Sequence, residues 1–334
     1  MATQGQSESR TGTGTVPWTE KYRPKSLDDI IDHDKKITTL RSLVKSSQLP
    51  HLLFYGPPGG GKTSMILALA RDMYGANFRR YIIEINGSSE RGIDTIRGNV
   101  VDFVQARADQ VKLVILDEAD ALTGEAQGAL KSVMEKFHKY ARFCLICNDV
   151  NKISPALQSR CVRMVFSTLN PVVIRAKLDE IVKEEHVDIT SDGLEALVSL
   201  QRDFRQLLNE LQKMHYYNSE LKRQITSDEV YESMGKPTAT DVTSIINVLF
   251  KETFNKSKYH IMDLYLSSRV NMVDLVSFIL KRVIVLKLDI SHKFFLIQTL
   301  SEIDNNIRTG CNAEIQISLL VAAFLKVRAE AQAV

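Results

Sequence analysis

Residues 56–63 read GPPGGGKT, and of these eight residues four are Gly and two are Pro. A stretch cleared of side chains presents its backbone, and N–H groups exposed in this way can surround an anion closely. Gly56, Gly61, Lys62 and Thr63 fit the pattern G-x-x-x-x-G-K-[ST], with Pro57, Pro58, Gly59 and Gly60 as the intervening backbone and Ser64 next in line. The run HLLFY before the loop reads as a strand and SMILALARDMY after it as a helix, which is the setting a phosphate-binding loop requires. In that setting the helix N-terminus adds partial positive charge. Lys62 then reaches the β- and γ-phosphates of a nucleotide and the Thr63 hydroxyl holds Mg²⁺.

A phosphate loop alone does not choose a reaction. The run KLVILDEAD, residues 112–120, does. Its apolar residues lead into Asp117, placing a carboxylate at the carboxyl end of a buried strand, where it can hold Mg²⁺. Glu118 follows on the other side of the strand direction, able to orient and deprotonate a water. A small-molecule kinase has no use for a water-activating base, so hydrolysis of ATP is the expected reaction. Asn148, ending the run RFCLIC, is placed to bond the γ-phosphate or the attacking water. Arg205, in RDFRQLL, can reach the same phosphates from a helical segment. Each is an ordinary surface residue taken singly, and both gain weight from the two motifs beside them.

These residues need a scaffold. The runs HLLFY (51–55), YIIEI (81–85), KLVIL (112–116), RFCLIC (142–147) and VRMVF (162–166) are apolar throughout rather than alternating, the pattern of a parallel sheet covered on both faces. The stretches between them leave room for crossover helices, so the first expectation is a doubly wound α/β domain over 16–168. Residues 1–15, rich in Gly, Ser, Thr and Gln, read as a disordered arm. Past STLNPVV the strands stop. Asn170 is a plausible N-cap with Pro171 in the first helical position, and helical periodicity continues to 236 as a small lid domain. GKPTATD serves as a linker, and residues 237–334 read as an all-helical domain whose broad apolar faces belong to its own core or to a partner.

The chain has 334 residues, a formal net charge of +3, 44% hydrophobic and 25% charged residues. That balance excludes a disordered or fibrous protein, and it is too mild for nucleic-acid binding by bulk charge. Four Cys show no spaced framework, which suits a reducing compartment. The pair in CLIC would point Cys144 and Cys147 to opposite faces of a strand, not to a shared metal. No apolar run approaches the length of a membrane span.

Across nearly its whole length the sequence resembles the small subunits of replication factor C, AAA+ ATPases that load the sliding clamp onto DNA. The resemblance rests on PWTEKYRPKSLDDI, HLLFYGPPGGGKT, INGSSERGIDTIR, VKLVILDEADALTGEAQGALKSVMEK, RFCLICN, RDFRQLLNELQ and above all Ser159-Arg160-Cys161 within ALQSRCVRMVF. It implies an AAA+ α/β domain, a helical lid and a helical collar. It implies ATP and Mg²⁺ as cofactors, and Arg160 as a finger reaching the ATP of a neighbouring subunit. Val16, Arg23 and Ile31 fall where family members enclose adenine and ribose, and Asn86 where a polar residue holds the catalytic Glu idle. Arg91 and Arg97, with Lys131, match residues facing duplex phosphates. Val100, Phe103 and Val104, spaced i, i+3, i+4, offer either anchors for a groove on the clamp or ordinary core packing. The implied partners are other subunits of a hetero-oligomer, a pentamer by the resemblance, the sliding clamp (PCNA) and primer–template DNA, in the nucleus. The alternative is a low-turnover subunit that binds ATP and supplies Arg160. The sequence departs from the family's usual loop at Gly60, and from its usual ASDDRG and GDMR at Gly87-Ser88-Ser89 and at RDFR.

Overall fold

The computed structural model describes residues 16–46, 48–92, 94, 96–201, 203–221, 223–267 and 270–332. The expected N-terminal arm, 1–15, lies outside them. The described chain falls into two compact units, one running to Ile181 and including Gln201–Gln212, the other comprising Val182–Leu200 and Lys213 onward.

The first unit is built on five parallel strands: β1 (Leu52–Tyr55), β2 (Ile82–Asn86), β3 (Lys112–Asp117), β4 (Ala141–Cys147) and β5 (Val162–Val165). Their order across the sheet is β2-β3-β4-β1-β5. All five strand runs of the sequence are present. Alternate residues feed two cores. Leu52, Phe54, Cys144 and Ile146 pack on one face, while Leu53, Phe143, Leu145 and Cys147 pack on the other. Continuous apolar strands are thereby explained, and Cys144 and Cys147 do point apart. The edge strand β5 differs, since Val162 and Val165 are exposed.

Helices cover the sheet: α1 (Asp34–Lys45), α2 (Lys62–Tyr74), the short α3 (Val101–Gln105) after a π turn at Ile96–Val100, and α4 (Gly124–Lys136). The α2 run Met65–Ala70 is wholly buried against the first core. Helix α4 starts where the Thr123 hydroxyl accepts from the Ala126 N–H, satisfying one of the orphan donors of a helix N-terminus. The helix α5 (Pro171–Glu184) begins as expected, with the Asn170 side chain accepting from the Val172 N–H at 3.0 Å.

The second unit is helical: α6 (Ser191–Leu200), the second half of α7 (Phe204–Leu221), α8 (Ser227–Ser233), α9 (Ala239–Lys251), α10 (Phe254–Ser267), α11 (Met272–Val285), α12 (Ile290–Arg308) and α13 (Ala313–Gln332). Helices α9 to α13 enclose one core that includes Ile245, Ile279, Leu296, Ile303 and Phe324. Among the described residues no helix is long and apolar enough to cross a membrane.

Candidate functional site

Strand order decides what meets at the carboxyl edge of the sheet. β4 lies between β1 and β3, with Tyr55 level with Cys147 and Leu116 level with Leu145. The loop after β1, the acidic pair after β3 and Asn148 after β4 are therefore neighbours. This is the edge where ligands bind in open α/β sheets.

The loop after β1 turns only because its glycines take left-handed backbone. Gly56, Gly59 and Gly61 have φ of 142°, 74° and 81°. A Cβ on Gly56 would lie 1.9 Å from the Phe166 carbonyl oxygen, so the loop is pressed against the end of β5. Lys62 then opens α2 with its ammonium tucked beneath the loop. Its Nζ donates to the carbonyls of Gly56 and Pro57 at 2.7 and 2.8 Å and to Asn148 Oδ1 at 3.0 Å. Burial pulls the Lys62 pKa down, and Asp117 opposes that shift by favouring the charged form. The next residue, Thr63, donates its hydroxyl to Asp117 Oδ2 at 2.7 Å. Hydroxyl and carboxylate oxygens so close form a hard, oxygen-only donor pair, the kind Mg²⁺ takes.

Glu118 is exposed and adopts φ 50°. Its N–H donates to Asp117 Oδ1 at 2.9 Å, and its carbonyl accepts from the Ala121 N–H at 2.9 Å. Gly87 sits so close that a Cβ there would be 2.5 Å from the Glu118 carbonyl oxygen. Asn86, level with Asp117 across β2 and β3, uses its Oδ1 to accept from the Ser88 N–H and hydroxyl at 2.8 and 2.7 Å. Its carboxamide oxygen is thus engaged in its own turn.

A cleft of about 260 Å³ joins these groups. Pro58 through Ser64, Asp117, Glu118, Asn148 and Arg205 line it, as do Arg23 and Ile31 of the expected base-binding set. Gly56 and Pro57 contribute by their carbonyls to Lys62 rather than as lining. Val16 is 59% exposed and does not line the cleft. Arg205 lies in the first turn of the helix α7, where its N–H donates to Asp203 Oδ1 at 2.9 Å. Because Gln201–Gln212 belong to the same unit as the loop, Arg205 and Lys62 are parts of one compact body.

Arg160 lies elsewhere. Its Nη1 donates to the Ala156 carbonyl at 2.9 Å, its Nη2 pairs with Glu135 on α4, and it does not line the cleft. Arg91 is exposed, with Nε donating to the Ser88 carbonyl at 2.9 Å, and its carbonyl accepts from the Thr123 N–H at the start of α4. Lys131 is half-buried on that helix. Arg97 occupies the π turn, and its side chain is outside the described residues.

Of the two readings of Val100, Phe103 and Val104, the clamp-anchor one is corrected in favour of core packing. Val100 and Val104 are 0% and 3% exposed and belong to the second core, with Phe103 packed beside them. Lys112 Nζ lies 4.8 Å from the Phe103 ring centroid and donates to the Phe103 and Ala106 carbonyls. The i, i+3, i+4 spacing serves the core, because this face of α3 is what covers the sheet. Such spacing cannot by itself tell inward from outward.

Sequence reasoning passed over three supporting residues. Asp120 Oδ2 accepts from the N–H groups of Asn148 and Asp149 at 3.2 and 3.1 Å and so aims the loop that carries Asn148. Asp203 lies against the phosphate loop, its Oδ1 2.4 Å from where a Gly59 Cβ would be. His33 holds the loop through its Nε2, 2.9 Å from the Gly60 carbonyl oxygen. Only Asp120 carried a signal, as the second Asp of DEAD.

Residues 52–169 match the ATPase family associated with various cellular activities (AAA), and residues 237–323 match the replication factor C C-terminal domain. The chain is 41% identical to replication factor C subunit 3 of Oryza sativa subsp. japonica, over 96% of its own length and 90% of that protein's. It is 40% identical to replication factor C subunit 5 of Homo sapiens, over 96% and 95% respectively. Among solved structures, the Thermotoga maritima RuvB Holliday junction branch migration motor superposes with a TM-score of 0.53, covering 74% of this chain and 88% of that one. At 18% identity, that likeness concerns the fold alone.

Proposed function

Since this chain belongs to the replication factor C family of AAA ATPases, we propose that its cleft binds ATP with Mg²⁺ and hydrolyses it while the chain sits in a heteropentamer. The chain is a clamp-loader subunit with an ATPase domain, so it binds nucleotide and works within a multi-subunit assembly. The observation that carries the finer reading is Lys62, a buried ammonium held under the loop and in contact with Asn148. A lysine placed there exchanges one protein acceptor for a phosphate oxygen when nucleotide enters.

In this reading the N–H groups of Gly59 to Thr63 cradle the phosphates. Thr63 and Asp117 hold Mg²⁺, which when bound neutralises charge on the β- and γ-phosphates. Glu118 takes the proton of the attacking water, and Asn148 orients that water or the γ-phosphate. Arg205 faces the same phosphates in cis. Arg160, remote from its own cleft, serves the neighbouring subunit's ATP and leaves Glu135 to do so. Arg91, Arg97 and Lys131 form a short track for duplex phosphates, independent of base identity. Residues 16–168, 169–236 and 237–334 act as ATPase domain, lid and collar. The sliding clamp (PCNA) and primer–template DNA are the partners, and the nucleus is the site of action.

The test is a reconstituted complex bearing either Lys62→Ala or Arg160→Ala. Lys62→Ala is expected to strip nucleotide from this site, measured by quantifying bound nucleotide. Arg160→Ala is expected to leave that nucleotide in place while slowing the neighbour's hydrolysis by ~10³-fold or more. Retention of ATP by the Lys62 variant would remove the nucleotide reading, and loss of turnover at this subunit's own site alone would remove the trans role.

A further inference from the structure

His33 is 3% exposed, stands at the N-cap of α1, and contributes to the wall of the same cleft as Gly60 and Gly61. Its Nε2 lies 2.9 Å from the Gly60 carbonyl oxygen, and its Nδ1 lies 3.3 Å from Lys36 Nζ. The two partners settle the ring's state. A carbonyl only accepts, so Nε2 must carry the proton. An ammonium only donates, so Nδ1 must offer its lone pair. The ring itself is wedged edge-on against Phe166, with centroids 5.0 Å apart at 84°. Phe166 is the residue whose carbonyl presses on Gly56. No alternative tautomer of the imidazole keeps both bonds.

A trans peptide carries its C=O and its next N–H on opposite sides. Holding the Gly60 oxygen on His33 turns the Gly61 N–H the opposite way, away from the imidazole, and Gly60 and Gly61 both line the cleft. The geometry points to His33 as a positioning residue of the phosphate loop: its Nε2–H fixes the Gly60–Gly61 peptide so that the Gly61 N–H faces the nucleotide's phosphates. Two neighbours in sequence strengthen the device. Ile31 lines the same cleft, and the Asp32 carboxylate accepts from the Asn170 N–H at 2.6 Å at the start of α5. Three consecutive residues thus tie the cleft wall, the loop and the following helix together. The inference rests on the nucleotide reading above.

The experiment titrates the full-length chain with the fluorescent nucleotide mant-ADP and Mg²⁺, for wild type, His33→Leu and His33→Gln. Leu fills the space and donates nothing, whereas Gln places an amide N–H within reach of the same carbonyl. His33→Leu is expected to weaken mant-ADP binding about tenfold, the size of one lost hydrogen bond, and His33→Gln to stay within about threefold of wild type. Thermal midpoints recorded alongside should move similarly for both, since each removes the ring from Phe166. If His33→Leu does not fold, His33→Asn, whose amide is too short to reach Gly60, takes its place in the comparison. Wild-type affinity in the variant lacking the donor, or equal losses with and without it, overturns the positioning role. A wild-type chain that fails to bind mant-ADP at all overturns the nucleotide reading as well, which separates the two failures.

Discussion

Glu118 stands in a left-handed backbone conformation that a residue with a Cβ adopts only when its surroundings hold it. Here the hydrogen bonds to Asp117 Oδ1 and from Ala121, and the approach of Gly87, supply that hold. The consequence is directional. The chain leaves the line of β3 immediately after Asp117, so the two adjacent carboxylates face different tasks, one bonded to Thr63 and one free to meet water at the cleft. Glu118→Gln keeps the backbone and the side-chain shape and removes only the basicity. Nucleotide affinity should persist while single-turnover hydrolysis at this site falls by ~10²–10⁴-fold. An unchanged single-turnover rate would show that another group takes the proton. The carboxylate pair was legible as DEAD, but the strained φ that separates its members was not, because it depends on Gly87 arriving from β2.

At the scale of elements, the junction from β1 to α2 is the feature on which the site depends. Four glycines look alike in the sequence, yet the fold treats them differently. Gly56 combines φ 142° with a Cβ position 1.9 Å from the Phe166 carbonyl oxygen. Gly60 has no positive φ, and a Cβ there meets nothing closer than the Ser167 oxygen at 3.1 Å. Gly56→Ala is therefore expected to cost about 3 kcal/mol or more, and Gly60→Ala to stay within about 1 kcal/mol. Urea unfolding of the two variants side by side checks this, and equal losses would contradict the role of β5 in shaping the loop. The same contrast bears on the departure at Gly60: the position needs no left-handed backbone, and a Cβ there meets the Ser167 carbonyl closely but without the overlap seen at Gly56.

A second element-scale effect follows from His51, which leads into β1. Its Nδ1 accepts from the Phe143 N–H at 3.2 Å, a bond only the neutral ring makes. Burial first, then Arg142 and His138, push its pKa down to about 4. The unfolded chain then binds the proton near pH 6.5 while the folded chain refuses it, so stability should fall as pH drops from about 6.5 towards 4. His51→Gln, which keeps an acceptor, should flatten that part of the stability profile. A slope identical to wild type in pH-dependent urea unfolding would assign the effect to other groups.

At the scale of the whole molecule the two units raise separate questions. In the helical unit, α12 puts Leu296, Leu300 and Ile303 into the core. Its other side leaves Ile290 and Phe294 83% and 70% exposed, with Ile297 partly so. Those three recur at i, i+4 and i+7, a continuous apolar stripe on a helix that already has its own core. Phe294→Glu should leave the helical signal and unfolding midpoint of the chain nearly unchanged, while reducing its recovery in the assembled complex several-fold. Full recovery on affinity purification with partner subunits would show that assembly uses another face.

What the sequence determined by itself was whatever local chemistry dictates. The phosphate loop, the DEAD carboxylates, the five apolar strands and the Asn170-Pro171 helix start all depend on residues adjacent in the chain, and their types and spacing state them directly. Tertiary structure decided which of these meet and which way they face. Asn148 reaches Lys62 because β4 lies between β1 and β3, and Arg205 joins the cleft because Gln201–Gln212 pack with the sheet. Val100 and Val104 turn inward because α3 covers the sheet on that side. Helical period gives a stripe its width but no sign, and only packing says whether the stripe is core or surface. His33 had no motif to announce it, since its partner Gly60 is 27 residues away and the bond exists only once the start of α1 has folded against the loop.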